Sequence, residues 1–176
     1  MIREALFLFL PVLCAGVTFI VYLRMFNVPI LNIPLDGCKT FRGKRILGEN
    51  KTIKGPLFMI IGTVFYGYIV YVVLGSKIEL YIGWYEALFR FSLVGLAYSL
   101  GEIPTSFIKR QLGIPPGISP SWQYRVLDIC DSVLAVGIMA FFVIPIQNDS
   151  IVLAVLMGVG AHMLTDQLMK TLHLKK

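Results

Sequence analysis

The sequence predicts an all-α fold: a polytopic membrane helical bundle of about five transmembrane helices, N-terminus outside and C-terminus cytoplasmic. Three observations carry that expectation. The 176 residues are 57% hydrophobic and only 15% charged, with a mean hydropathy of +0.78, values that soluble domains of this length rarely reach. Five stretches approach the roughly 20 apolar residues that a spanning helix needs to satisfy its backbone within lipid. The cations gather on alternate connections, as the positive-inside rule requires.

The first span, about 5–25, follows Arg3 and so invites a signal-peptide reading. It lacks a small-x-small cleavage pattern and runs straight into Arg24, so it is expected to be retained. A long connection, 26–54, leads to the second span at about 55–75. Arg24, Lys39, Arg42, Lys44, Arg45, Lys51 and Lys54 fall at or between these two spans. The third span, about 86–108, is followed by the connection 109–125, with Lys109, Arg110 and Arg125. The fourth and fifth, about 126–146 and 150–170, end in Lys170, Lys175 and Lys176, whereas the opposite side offers only Arg3, Lys77 and Arg90. Both basic connections and the C-terminus are therefore expected in the cytoplasm. Such short connections leave no room for a soluble domain, and residues 1–176 are expected to form a single membrane domain. Cys14, Cys38 and Cys130 form no C-x-x-C pair, so neither a disulfide framework nor a zinc site is indicated.

Three stretches carry candidate chemistry. "LDGCKTFRGKRILGENKTIKG", residues 35–55, combines glycines, which let a backbone approach a phosphate, with cations that neutralise it. It is not a Walker A loop, and a flexible basic loop that merely orients the chain is the competing reading. The third span ends "SLGEIPTSFIKRQLGIPPG", where Glu102, Ser106 and Lys109 share one helical face. An ionisable group at membrane depth points to function, against a purely structural Glu102–Lys109 pair. Pro104 interrupts the hydrogen-bond ladder and is expected to open the helix locally. In "YRVLDICDSVLAV", Asp128 and Asp131 lie one turn apart on one face, at the start of an apolar run. Helix capping is the simpler explanation, but two carboxylates aimed at one point repel unless a cation lies between them. Mg²⁺, which takes one or two carboxylates plus substrate phosphates, suits that position. His162 and Asp166, spaced i, i+4, read as a structural hydrogen bond and are kept outside the core site.

With these blocks in order the chain resembles the CDP-archaeol synthase family, within the wider group of CDP-diacylglycerol synthase-like membrane cytidylyltransferases. The resemblance rests on Pro34-Leu35-Asp36-Gly37, then Gly43-Lys44-Arg45 through Gly48, Lys51-Thr52 and Gly55. It continues in Gly101-Glu102, Ser106-Phe107, Lys109-Arg110 and Leu112-Gly113-Ile114, and ends in Asp128 and Asp131. Glu102 stands where the family usually has aspartate, and Ile129 where a polar residue is common.

The resemblance implies the transfer of a cytidylyl group from CTP to a membrane lipid phosphate, archaeol phosphate-like or phosphatidate-like, giving a CDP-activated lipid and pyrophosphate for phospholipid biosynthesis. Asp128, Asp131 and Glu102 are the implied Mg²⁺ ligands, and with Lys109 the catalytic set. Lys44, Arg45, Gly48, Asn50, Lys51, Thr52, Gly55, Ser106 and Arg110 are the implied substrate-binding residues. A lipid phosphate, with a second pKa near 6, is largely dianionic at neutral pH and needs no general base. The implied partners are CTP, the lipid phosphate and membrane lipids, with no nucleic acid; a homodimer is left open. The implied location is the plasma membrane, with the site on its cytoplasmic side. A non-catalytic lipid-binding protein and a cation transporter are the alternatives from other classes.

Overall fold

In the computed structural model, which describes residues 1–26, 31–78 and 82–171, five long helices account for the apolar stretches. They are α1 (Ile2–Met25), α2 (Lys54–Leu74), α3 (Trp84–Gln111), α4 (Trp122–Val143) and α5 (Asn148–Thr171). All five are long and apolar enough to cross a membrane, so the chain is a multi-pass membrane protein. Trp84 and Tyr85 at the start of α3, and Trp122 at the start of α4, are exposed. Amphipathic rings at helix ends match the two interface levels of a bilayer.

Each helix packs against its neighbours in sequence, and α5 closes back on α1, making a ring of five. Small residues allow the close approaches. A side chain at Gly95 would strike the Met59 carbonyl of α2, and one at Gly101 would strike the Asp131 carbonyl of α4. The core centres on Phe7, Leu8, Phe91, Val94 and Ala140. At one end of the ring Glu4 of α1 accepts from the Ser150 hydroxyl at 2.5 Å, tying the first helix to the last.

From residue 31 onward the connection between α1 and α2 is built rather than loose. Thr40–Phe41 (β1) pairs antiparallel with Lys44–Arg45 (β2), in register Thr40↔Arg45 and Phe41↔Lys44. Arg42 and Gly43 both have positive φ at the tip, the geometry of a two-residue hairpin that suits strand twist. An isolated bridge between Pro34 and Thr52 closes the base.

Two expectations change. The α3 helix runs on to Gln111, so Lys109 and Arg110 are helical rather than part of the connection. Pro104 does not interrupt it: α3 is continuous from Trp84, with Pro104 exposed.

Candidate active site

The end of α3 shows how local sequence places functional side chains. Leu112 closes the helix and Gly113 takes φ +78°. The Gly113 amide donates to the Arg110 carbonyl at 3.0 Å, and the Ile114 amide to the Lys109 carbonyl at 2.9 Å. This is a Schellman cap, which needs a glycine-like residue in the left-handed conformation. The Leu-Gly-Ile signature therefore fixes where Lys109 and Arg110 stand.

Those two residues face a cavity of about 550 Å³ between the α1–α2 connection, α3, the α3–α4 turn, α4 and α5. Of the residues singled out in the sequence, Asn50, Lys51, Glu102, Ser106, Lys109, Arg110, Asp128 and Asp131 line it. Lys109 Nζ donates to both Asp128 oxygens, at 2.8 and 3.2 Å, and to Ser119 Oγ at 3.3 Å. Ser119 in turn donates to Asp128 Oδ2 at 2.5 Å. Lys51 pairs with Glu102, and Ser132 Oγ lies 3.4 Å from Glu102 Oε1 and 3.1 Å from Asp131 Oδ1. Arg110 is buried, yet its Nε and Nη1 have no hydrogen-bond partner. A buried guanidinium left that way is costly unless an anion completes it.

The competing explanations of these acids lose ground. The structural Glu102–Lys109 pair does not form, since Glu102 turns to Lys51 and Lys109 to Asp128. Capping also fails, because α4 begins at Trp122 with Ser121 as its cap residue. Asp128 and Asp131 therefore lie well past the first turn, where helix-end charge effects have faded.

The rest of the substrate-binding set lies away from the cavity wall. Lys44 Nζ donates to the Gln111 carbonyl at 2.6 Å. Arg45 is held by Asp36, at 2.7 and 3.2 Å. The Gly48 amide also donates to Asp36; its φ is +104°, and a side chain there would press on Pro116, Asn50 and Arg110. Thr52 is buried in the bridge to Pro34, and Gly55 sits in the first turn of α2. These residues shape the loop that presents Asn50 and Lys51. Conversely, Ser119 and Arg125 line the cavity without having been singled out as site residues. His162, set aside from the core site, lines it as well; the side chain of its companion Asp166 lies outside the described residues, as does that of Lys170, with Lys175 and Lys176.

The donor set fits Mg²⁺ only in part. Among the described residues no three His, Cys, Asp or Glu side chains gather closely enough to hold a metal. Glu102 and Asp131 do flank one hydroxyl, and Mg²⁺ characteristically combines one or two carboxylates with substrate phosphates. The arrangement suits an ion that arrives with a nucleotide better than an all-protein cage.

The family model for CarS-like CDP-archaeol synthases matches residues 1–176. The chain belongs to the CDP-archaeol synthase family. The resemblance drawn from the three sequence blocks thus holds. A CDP-archaeol synthase of Picrophilus torridus is 33% identical over 139 residues, covering 73% of this chain and 70% of the relative. Another, of Pyrococcus furiosus, is 32% identical over 107 residues, covering 55% and 59%. A solved structure described as an intramembrane enzyme for archaeal membrane lipid biosynthesis shares the fold, with TM-score 0.66, 24% identity and 94% of each chain covered. Membership in the CDP-archaeol synthase family makes the protein a CTP-dependent lipid cytidylyltransferase of lipid biosynthesis.

Proposed function

We propose that this chain joins CTP to archaeol phosphate, releasing pyrophosphate and CDP-archaeol, with Mg²⁺, at the cytoplasmic face of the plasma membrane. A non-bridging oxygen of the lipid phosphate attacks the α-phosphorus of CTP. The bond from that phosphorus to the oxygen bridging the β-phosphate breaks, and pyrophosphate leaves with its electron pair. No proton has to be removed from the nucleophile, because a phosphate monoester is largely dianionic at neutral pH. Catalysis is then chiefly positioning and charge neutralisation.

Arg110 carries the reading: a buried guanidinium with two unpartnered nitrogens, facing a cavity that also holds Lys51 and Lys109. Planar forked donors suit phosphate oxygens. Lys51 and Asn50 hold the nucleotide phosphates from the loop side, while Arg110 and Lys109 hold them from α3. Asp131 and Glu102 would hold Mg²⁺ together with the nucleotide's phosphates, with Asp128 beside them on Lys109. Bound there, the ion supplies charge neutralisation at the reacting phosphates. Ser119 keeps Asp128 and Lys109 in register. Residues 1–176 act as a single membrane domain, and the charge distribution supports placing the cavity on the cytoplasmic side.

Purified protein in detergent, given CTP radiolabelled at the α-phosphate, should form labelled CDP-lipid from archaeol phosphate in the presence of Mg²⁺. Equal activity with EDTA would remove the metal. Preference for phosphatidate would change the lipid, and no product from either would overturn the reading.

A further inference from the structure

We infer that Arg125 holds the phosphate of the lipid substrate at the rim of the cavity, and so sets the affinity for that substrate without touching the nucleotide. The inference rests on the cytidylyltransferase reading, which gives Asn50, Lys51, Lys109 and Arg110 to the nucleotide and leaves the second phosphate without a cation. Four Lys and Arg side chains line the cavity: Lys51, Lys109, Arg110 and Arg125. Lys51 is paired with Glu102 and Lys109 with Asp128, while Arg110 is buried with two unpartnered nitrogens. Arg125 lies in the first turn of α4 and is exposed. Among the described residues it has no ion-pair partner.

Two observations select the lipid's phosphate over another phosphate of the nucleotide. The first is height. Trp122, one turn before Arg125, is 71% exposed, and Val126 and Leu127, next along the helix, are 46% and 51% exposed. A tryptophan at the end of a spanning helix marks the interface level, and exposed apolar side chains beside it face lipid. Arg125 therefore stands at the height of the headgroups, whereas Arg110 is enclosed. A lipid cannot carry its phosphate far from that height without drawing its chains into water. The second observation is charge. A cation in the first turn of a helix stands at the positive end of the dipole, where it is disfavoured. A dianionic phosphate beside the guanidinium and that helix end turns both into attractions. Spacing i, i+3 sets Arg125 on the same helical face as Asp128, so a phosphate held there borders the reacting centre. Displacement at the α-phosphorus keeps attacking and leaving oxygens roughly in line, and cations on two different helices, Arg125 on α4 and Arg110 on α3, suit the two sides. A charge that only oriented the chain could stand anywhere in the connection and need not line the cavity.

The test compares Arg125→Met and Arg125→Lys with Lys39→Met, which removes the same charge from an exposed residue outside the cavity. In detergent micelles of fixed composition, each substrate is varied against a saturating amount of the other. Arg125→Met should raise KM for archaeol phosphate about tenfold or more, the scale of one charge-assisted contact, and leave KM for CTP within about twofold. Arg125→Lys should recover part of the loss, because an ammonium keeps the charge and gives up the fork. Lys39→Met should leave both constants within about twofold. Binding is read separately from turnover. Archaeol phosphate without CTP should raise the Tm of the wild type, and Arg125→Met should lose that shift while keeping the one produced by CTP with Mg²⁺. Arg125→Gln serves if Arg125→Met fails to insert. A raised KM for CTP, an unchanged KM for archaeol phosphate, or an equal loss in Lys39→Met would overturn the inference and leave the cytidylyltransferase reading in place. A wild type stabilised by archaeol phosphate through Arg125, yet forming no CDP-lipid, would sustain the phosphate site and remove that reading.

Discussion

The Asp36 turn and the α3–α4 cavity are built from the same materials, carboxylates against cations, yet only one of them is closed. Asp36 is buried and accepts from Arg45 Nε and Nη2 and from the amides of Cys38, Leu47 and Gly48. The Arg45 guanidinium, and after it those amides, hold its carboxyl well below the usual carboxylate range despite burial. Asp36 in return pushes Arg45 up. In the cavity, by contrast, Arg110 keeps two buried nitrogens unpartnered, and the side chain of Asp128 remains 32% exposed. A charge cluster that satisfies itself serves the fold. One left with buried donors unmet is arranged for something that arrives.

The sharpest way to break this contrast is to remove charge from the open cluster while keeping shape. Asp131→Asn and Asp128→Asn should each lower turnover by about 10²-fold or more, with Tm in detergent little changed for Asp131→Asn. Asp128→Asn should also cost some stability, because Lys109 then loses its partner. Full activity in Asp131→Asn over a Mg²⁺ titration would remove it from the metal site.

Arg110→Met gives the next largest effect and the clearest divergence. Replacing an unsatisfied buried charge with an apolar side chain of similar length should leave Tm unchanged or raise it. Activity should fall by about 10- to 100-fold through loss of a forked phosphate contact. A parallel loss of stability and activity would show Arg110 to be structural after all.

Asp36→Asn should behave the other way. It places an amide where backbone and Arg45 donors converge, so Tm should drop by several degrees, with activity per folded molecule reduced less than in the cavity variants. The pH dependence has a definite sign. A carboxyl whose pKa is lowered by folding adds stability that is present above its unfolded value of 3.8 and fades as pH falls below it. Wild-type Tm should therefore decline as pH falls from about 4 to about 2, and the Asp36→Asn profile should be flatter there. Matching slopes would place the acid sensitivity elsewhere.

How much of this was legible in the sequence follows from range. The five helices were, because roughly 20 apolar residues leave a chain in lipid little choice. Glu102, Asp128 and Asp131 stood out because charge inside an apolar run is costly. Their partners did not. Helical periodicity pairs Glu102 with Lys109, while the folded chain pairs Glu102 with Lys51 and Lys109 with Asp128, across 51 and 19 residues. The basic loop misled for the same reason: composition marks Lys44, Arg45 and Lys51 alike, and only the turn around Asp36 separates them. His162 was discounted on local spacing, and its place in the cavity wall is a property of the closed ring. Ser119, a plain serine in a proline- and glycine-rich turn, gave no signal at all.

The smallest expected effect lies within that loop, between two lysines seven residues apart. Lys44 is exposed, and its ammonium group donates to the last-turn carbonyl of Gln111, where a cation favours a helix C-terminus modestly. Lys51 lines the cavity and pairs with Glu102 across it. Lys51→Ala should raise KM for CTP or lower turnover by about tenfold, since a charge-assisted phosphate contact is lost. Lys44→Ala should change both constants by less than about twofold, because an exposed contact of this kind contributes little. The pair also separates phosphate binding from membrane orientation, since each substitution removes one positive charge from the same connection. Impermeant labelling of a cysteine introduced at Lys77, on the opposite side, should report the same orientation in both. If the two alanine variants lose activity equally, the loop acts through its net charge, and the division between closed and open clusters does not extend to its lysines.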